Sequence, residues 1–123
     1  ITKDYSLYIA YNMKIVSTEI FLFKIPMIPF TIATGTMEYA QNVLIKIHTD
    51  EGVTGWGECS AFPMIVGETQ LSCYQLAKDF AAYWKGKDPL AIAARMSELD
   101  YIIAGNYTAK IIKIFCIWKK GVN

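Results

Sequence analysis

Histidine is almost absent from this sequence, which contains His48 and no other among its 123 residues. General acid–base and nucleophilic catalysis need a positioned base, and no serine or cysteine here has a second histidine-like base to activate it. His48 falls in the middle of a predicted strand beside Lys46, so we interpret it as a surface or half-buried strand residue. We therefore predict no catalytic residue in the chain.

Cysteine and metal-ligand patterns are also sparse. The three cysteines, Cys59, Cys73 and Cys116, include no C-x-x-C pair, so neither a disulfide framework nor a zinc site is predicted. Reduced thiols in the cytoplasm are the ordinary interpretation of such usage. The acidic residues lie at no metal-ligand spacing: Asp50, Glu51, Glu58 and Glu68. We predict no metal ligand in the chain and a cytoplasmic location.

An excess of charge of one sign is missing as well. Twelve basic and 11 acidic residues give a net charge of +1, too little to attract nucleic acid or an anionic membrane. No apolar run approaches the roughly 18–20 residues that span a bilayer, and the N-terminus lacks a signal-peptide pattern. We predict neither a nucleic-acid nor a membrane partner. A surface helix over the C-terminal "IIKIFCIWKK" leaves membrane-surface binding open as an alternative.

Apolar residues, in contrast, are abundant. They make up 54% of the chain and charged residues 19%, whereas apolar residues including glycine average about 45–50% in soluble domains. Such an excess indicates a surface that is buried against something outside the chain.

The first half of the chain has strand patterns. Residues 13–25 are β-branched and aromatic, and we expect Pro26 and Pro29 to break that strand or form a loop at a sheet edge. In "YAQNVLIKIHTD", Val43, Ile45 and Ile47 are predicted to point to a packed face of a strand, and residues 44, 46 and 48 to a partly solvated face. A tight turn at residues 50–52 and a returning strand, "VTGWGECS", predict a β-hairpin. Residues 1–12 are interpreted as an N-terminal extension.

The second half has helical patterns. We predict a first helix that ends at Gly86 and has Glu68 and Thr69 in its first turn, where negative charge suits the helix dipole. Its apolar positions at helical spacing are Leu71, Tyr74, Ala77, Phe80, Ala81 and Trp84. A second helix is predicted from Pro89 to Gly105, and a third segment begins at the cap-like Asn106. Strands followed by helices predict an α+β fold, a three-stranded antiparallel meander followed by a small helical bundle.

An apolar stretch, "AFPMIVG", separates the third predicted strand from the first helix. Phe62, Met64, Ile65 and Val66 lie there between polar or charged segments. A loop flanked by Pro63 and Gly67 seldom buries so much within its own domain, so we predict that it lines a pocket or an interface.

Three motifs follow one another in a recognisable order. They are "PF.I..G" (Pro29 to Gly35), "A.NV...I.T..G..G.GE" (Ala40 to Glu58) and "P...GET" (Pro63 to Thr69), with "GN...AK" at residues 105–110. Over residues 13–110 the chain resembles the N-terminal capping domain of the enolase superfamily, in its mandelate racemase and muconate lactonizing branch. The resemblance is strongest to dipeptide epimerases of the L-Ala-D/L-Glu type.

The resemblance implies a two-domain enzyme. In that family an α+β cap joins a TIM-like barrel, whose lysines abstract the proton α to a carboxylate while Mg²⁺, held by barrel carboxylates, stabilises the enediolate. Two cap loops, corresponding here to residues 25–35 and 60–67, close the barrel mouth and select the substrate side chain. The substrate-binding residues implied are Phe30, Thr34, Gly35, Met64, Ile65 and Gly67.

The resemblance also points to a substrate class. Gly35 falls where Ala-Glu epimerases place an arginine that binds the substrate glutamate, and no Lys or Arg lies between Lys24 and Lys46. Because a buried carboxylate without a cationic partner is costly, we expect a dipeptide with a neutral or apolar side chain.

The resemblance ends after Lys110, and residues 111–123 form a divergent tail. A barrel takes about 200–250 residues, so the barrel is expected to be missing, through a frameshift or premature stop, and the cap to be inactive alone. Its exposed apolar surface is expected to favour self-association. The alternative is a free-standing α+β protein-binding module.

Overall fold

The computed structural model describes residues 13–106 and the backbone of residues 117–120. In chain order, the elements are β1 (Ile15–Ile32), β2 (Gly35–Thr49), β3 (Val53–Ala61), α1 (Pro63–Val66), α2 (Gln70–Trp84), α3 (Ile92–Ile102) and β4 (Ile117–Lys120). The strands form one antiparallel sheet in the order β1-β2-β3-β4. The predicted α+β fold, an antiparallel meander followed by helices, is confirmed.

The core lies between one face of the sheet and the helices. Val43, Ile45 and Ile47 of β2 are buried on this face, whereas Leu44 and Lys46 on the other face are half-buried. This arrangement confirms the alternation predicted for β2, because successive side chains of a strand point to opposite faces.

The hairpin between β2 and β3 also forms as predicted. Thr49 closes its turn, because its hydroxyl donates to the carbonyl of Val53 at 2.7 Å and accepts from the Val53 amide at 3.2 Å. Gly52 has a φ of +71°, which a side chain would disfavour. The pairing sets Val43 opposite Cys59 and Ile45 opposite Gly57, so β3 adds small residues to the same core face.

Strand β1 continues through both prolines, so the predicted break is wrong. Pro26 pairs with Tyr39 and Phe30 with Met37, and between these pairs three residues of β1 lie opposite one of β2. A bulge of this kind accommodates the prolines, and β1 is an edge strand whose outward side needs no ladder bonds. The edge position, which was also predicted, explains why the strand is not interrupted.

Helix α2 begins with a capping box. The Thr69 hydroxyl accepts from the Ser72 amide at 3.1 Å, and the Ser72 hydroxyl accepts from the Thr69 amide at 2.9 Å. Thr69 is therefore the N-cap, and Glu68 precedes the helix, whereas both were predicted to lie in its first turn.

The buried stripe of α2 contains Cys73, Ala77, Phe80 and Trp84. Leu71 was predicted to join that stripe but is 69% exposed. It precedes Cys73 by two residues, which is about 200° of rotation at 3.6 residues per turn, so it points away from the sheet.

Helix α3 begins at Ile92 rather than at the predicted Pro89. The carboxylate of Asp88 accepts from the Leu90 amide at 2.8 Å, and this turn occupies the residues that would otherwise open the helix. Leu99 is the fully buried residue of α3 and joins the core beside α2.

The predicted third helical segment is wrong where the structure describes it. Residues 117–120 form β4, which pairs with β3 from Val53 to Trp56, while residues 107–116 lie outside the described residues. The edge of β3 that faces away from β2 offers backbone groups for pairing, and "IWKK" begins with a β-branched and an aromatic residue. The predicted extension, residues 1–12, also lies outside the described part of the chain.

The sheet face that points away from the core carries one close ion pair. The ring Nε2 of His48 donates to the Glu19 carboxylate at 2.6 Å, and His48 is half-buried as predicted. This hydrogen bond is the largest cause that lowers the pKa of Glu19 below its usual 4.5. Desolvation opposes it, and the nearby His48 and Lys46 add smaller electrostatic contributions that lower the pKa further.

Burial of Leu99 predicts a large difference between two leucine substitutions. Leu99→Ala should lower the free energy of unfolding by about 2–5 kcal/mol, because it leaves a cavity in the core. Leu71→Ala, the matched exposed control, should change it by less than about 0.5 kcal/mol. Urea unfolding of both variants measures the difference, and equal losses would contradict the core assignment.

The lowered pKa of Glu19 predicts a specific titration. The ion pair stabilises the fold above the ordinary range of a glutamate and is lost as the pH falls through the lowered pKa. In a ¹³C NMR titration, His48→Ala should return the Glu19 midpoint upward to its ordinary range. Thr36→Ala, at the other end of the β1–β2 hairpin, should leave the midpoint unchanged. An unaltered midpoint in His48→Ala would show that His48 is not the cause.

Candidate functional site

The two segments predicted to be loops lie against each other at one end of the sheet. Residues 25–32 are the end of β1, residues 33–34 form its turn into β2, residues 60–61 end β3 and residues 63–66 form α1. They are thus mostly regular structure, and the prediction of loops is corrected in this respect. We refer to residues 25–35 and 60–67 as the paired segments.

Helix α1 is one short turn bounded by two special residues. Pro63 stands at its first position, where a missing backbone N–H costs nothing. Gly67 ends it in the left-handed conformation, with φ of +69°, and its amide donates to the Pro63 carbonyl at 3.1 Å. The N-cap Phe62 makes no side-chain cap bond, and α1 contains no buried residue.

Two contacts join the paired segments. The rings of Phe30 and Phe62 are tilted by 45° with centroids 6.4 Å apart, a geometry in which aromatic pairs attract. At Gly35, the position that a Cβ atom would take is 2.7 Å from the Met64 sulfur. Residues on β1, β2 and α1 are therefore in direct contact, although they are far apart in sequence.

The paired segments expose several large apolar side chains. Ile28 is 88% exposed, Ile65 61% and Phe30 47%, and Ile25 and Met27 are also exposed. No residue from Phe62 to Val66 is buried, as predicted. Several exposed apolar side chains on two contacting segments of a small domain indicate a site of binding or association.

The paired segments contain no charged residue. The nearest lysines before and after residues 25–35 in the sequence are Lys24 and Lys46. Lys24 lies 3.9 Å from the centre of the Tyr39 ring and Lys46 4.9 Å from that of Trp56, as in cation–π contacts. The paired segments themselves therefore offer no cation to an acidic ligand.

The six residues predicted to bind substrate fall into two groups. Phe30, Thr34, Ile65 and Gly67 are exposed, and Thr34 lies in the turn of the hairpin. Gly35 and Met64 are half-buried and face each other. All six lie in the paired segments, and their role toward a ligand stays a prediction.

A polar network behind the site was not predicted. The Gln70 side chain at the start of α2 donates to the carbonyls of Phe23 at 2.9 Å and Asn42 at 3.0 Å, and so ties α2 to β1 and β2. Asn42 itself donates to Glu58 at 2.7 Å across the β2–β3 pair. The available signal was the presence of Asn42 and Glu58 in the motifs, although nothing in one sequence shows that they bond to each other.

A second part of this network holds the approach to α2. The Glu68 carboxylate accepts from the Ser72 hydroxyl at 2.7 Å and from the Asn106 amide at 2.6 Å. Glu68 thus links the start of α2 to Asn106, which lies four residues after the end of α3. These bonds fix the chain just after α1.

The described residues contain neither a metal-binding group of side chains nor a membrane-spanning helix. Within residues 13–106 and 117–120, no three His, Cys, Asp or Glu residues are grouped so that they could hold a metal ion. The same part of the chain contains no helix that is long and apolar enough to cross a membrane. These described residues therefore do not fit a Mg²⁺ site.

Comparison with known proteins gives close relatives. The chain is 35% identical to the D-Ala-D/L-Ala epimerase of Cytophaga hutchinsonii over 96 residues, which cover 76% of the chain and 26% of that enzyme. It is 35% identical to the hydrophobic dipeptide epimerase of Enterococcus faecalis over 88 residues, which cover 71% of the chain and 25% of that enzyme. The chain thus spans about a quarter of the length of these curated relatives.

Solved structures agree with the sequence matches. The fold superposes on the dipeptide epimerase of Enterococcus faecalis V583, solved with Mg and the dipeptide L-Leu-L-Tyr, with a TM-score of 0.77 and 33% identity. The superposition covers 84% of this chain and 30% of that one. Residues 15–112 match the family described as the mandelate racemase/muconate lactonizing enzyme, N-terminal domain. The chain therefore belongs to the mandelate racemase and muconate lactonizing enzyme family of the enolase superfamily, as its N-terminal domain.

Proposed function

We propose that this domain is the substrate-specificity cap of a Mg²⁺-dependent, dipeptide epimerase-like isomerase. The observation that supports this role is the exposed, uncharged apolar surface of the paired segments in a domain of this family. Exposed apolar area is unfavourable in water, and it is tolerated where a ligand or another domain covers it. The cap, proposed as residues 13–110, would work beside a catalytic barrel that contributes the proton-transferring lysines and the Mg²⁺ ligands.

We propose further that the substrate is a dipeptide with a neutral or apolar side chain. The paired segments contain no cation, and Lys24 and Lys46 are held on aromatic rings. A substrate carboxylate covered by this surface would lose water without gaining a partner, whereas an apolar side chain would gain from burial beside Phe30 and Ile65. The related Enterococcus faecalis enzyme was solved with L-Leu-L-Tyr, a dipeptide with two uncharged side chains.

A domain exchange tests both parts of the proposal. Residues 13–110 would replace the cap of the Enterococcus faecalis epimerase, and exchange of the α-proton would be followed in D₂O with Mg²⁺. The chimera should exchange L-Leu-L-Tyr faster than L-Ala-L-Glu, because only the first dipeptide suits an uncharged lid. The 123-residue chain alone should give no exchange. Faster turnover of L-Ala-L-Glu would contradict the substrate class, and exchange by the chain alone would contradict the division of roles.

In the same chimera, Ile65→Ala should reduce kcat/KM for L-Leu-L-Tyr about 10-fold or more, chiefly through KM. The expectation follows because each methylene lost from an apolar pocket weakens binding by about 1–3 kcal/mol. Leu71→Ala is the matched control, since Leu71 is exposed to a similar degree but lies on α2 outside the paired segments. Equal effects of the two substitutions would mean that Ile65 does not line the pocket.

A further inference from the structure

Helix α1 cannot hold its position by itself. It has four residues, far fewer than the roughly 12–15 that an isolated helix needs even for marginal stability. None of these residues is buried, and its N-cap makes no side-chain hydrogen bond. Whatever fixes α1 must therefore come from its contacts with other elements.

Those contacts lead to the β1–β2 hairpin. Phe62, the N-cap, packs against Phe30 near the end of β1. Met64, in the middle of α1, lies over Gly35 at the start of β2. Both contacts connect α1 or its N-cap to the same hairpin end, so the paired segments meet each other directly.

Gly35 is the more restrictive partner. A Cβ atom at this position would lie 2.7 Å from the Met64 sulfur, closer than non-bonded atoms approach, so one of the two would have to move. Its φ of +153° also lies outside the range that side chains favour. The Met64 thioether thus fills the space that a side chain at residue 35 would occupy.

We propose that Met64 is a positioning residue, which couples α1 to the β1–β2 turn through Gly35 and makes the paired segments a single preassembled lid. Two groups previously expected to touch the substrate, Gly35 and Met64, instead contact each other. The residues left to meet a ligand are Phe30, Thr34, Ile65 and Gly67. Met64 fixes the relative placement of the two apolar ones, Phe30 and Ile65. The role toward a ligand rests on the proposed function, but the coupling itself does not.

Methionine suits this role chemically. Its unbranched side chain adapts to an irregular gap, and its thioether needs no hydrogen-bond partner in a half-buried place. Leucine has a similar volume and is usually tolerated at such sites, whereas alanine would leave the space over Gly35 empty.

The test uses the 123-residue chain with no ligand. With methionine methyl groups ¹³C-labelled, the Met64 methyl, assigned by its loss in Met64→Leu, should show a nuclear Overhauser effect to the Gly35 α-protons. Met64→Ala should shift the amide resonances of Gly35 and Thr36, and amide exchange at residues 65–67 should become at least several-fold faster. The amides of Ile45 and Ile47 in the core should be unaffected. Met64→Leu should largely restore the amide exchange rates at residues 65–67.

Ile65→Ala is the matched control, because Ile65 lies on the same short helix but is exposed. Ile65→Ala should leave the amide resonances of Gly35 and Thr36 unshifted. If Met64→Ala acted only by weakening α1, Met64→Ala and Ile65→Ala would have equal effects on these resonances. Gly35→Ala should move the Met64 methyl resonance, and if that variant does not fold, the Met64→Ala comparison decides the matter. Shifts at Gly35 no larger in Met64→Ala than in Ile65→Ala would overturn the coupling. Failure of the chimera to epimerise dipeptides would count against the proposed function and leave the coupling intact.

Discussion

The packing of one stripe of α2 against one face of the sheet is the interaction on which this domain depends. Ala77 and Phe80 meet the buried side chains of β2, and this burial fixes where the first turn of α2 lies. Gln70, at that first turn, then reaches the backbone of β1 and β2. Because α1 precedes α2 by three residues, the same packing carries α1 to the end of the β1–β2 hairpin. The packing of α2 on the sheet therefore determines both the stability of the core and the position of α1.

The framework behind the site and the paired segments differ in polarity. Hydrogen bonds donated by Gln70 and Asn42 and accepted by Glu68 hold the framework behind the site. The paired segments have the opposite character, since they expose apolar side chains and carry no charge. The polar framework fixes geometry, and the proposed role of the apolar outer surface is to bind an uncharged ligand. Self-association through this surface stays a prediction for conditions in which nothing covers it.

Elements with a clear local period were predictable from the sequence. The β2–β3 hairpin follows from the alternation of Val43, Ile45 and Ile47, and most of the α2 stripe follows from its helical spacing. Leu71 was predicted to be buried because it is apolar, but its position two residues before Cys73 places it on the opposite side of α2. Helix α1 is too short to show a period, although Pro63 followed by Gly67 is a usable signal of a helix start and end. The continuation of β1 through Pro26 and the pairing of β4 depend on which sheet edges are open, and tertiary structure alone decides that.

The contact between Gly35 and Met64 was beyond sequence reasoning for the same cause, because the two residues meet only when both segments are in place. The proposed role of the paired segments can be tested with a crystal structure of the chimera bound to an apolar dipeptide. Side-chain atoms of Phe30 and Ile65 should lie within about 4.5 Å of the dipeptide's apolar side chain, the range of apolar contact. A complex in which that side chain touches barrel residues alone, with Phe30 and Ile65 facing solvent, would contradict it.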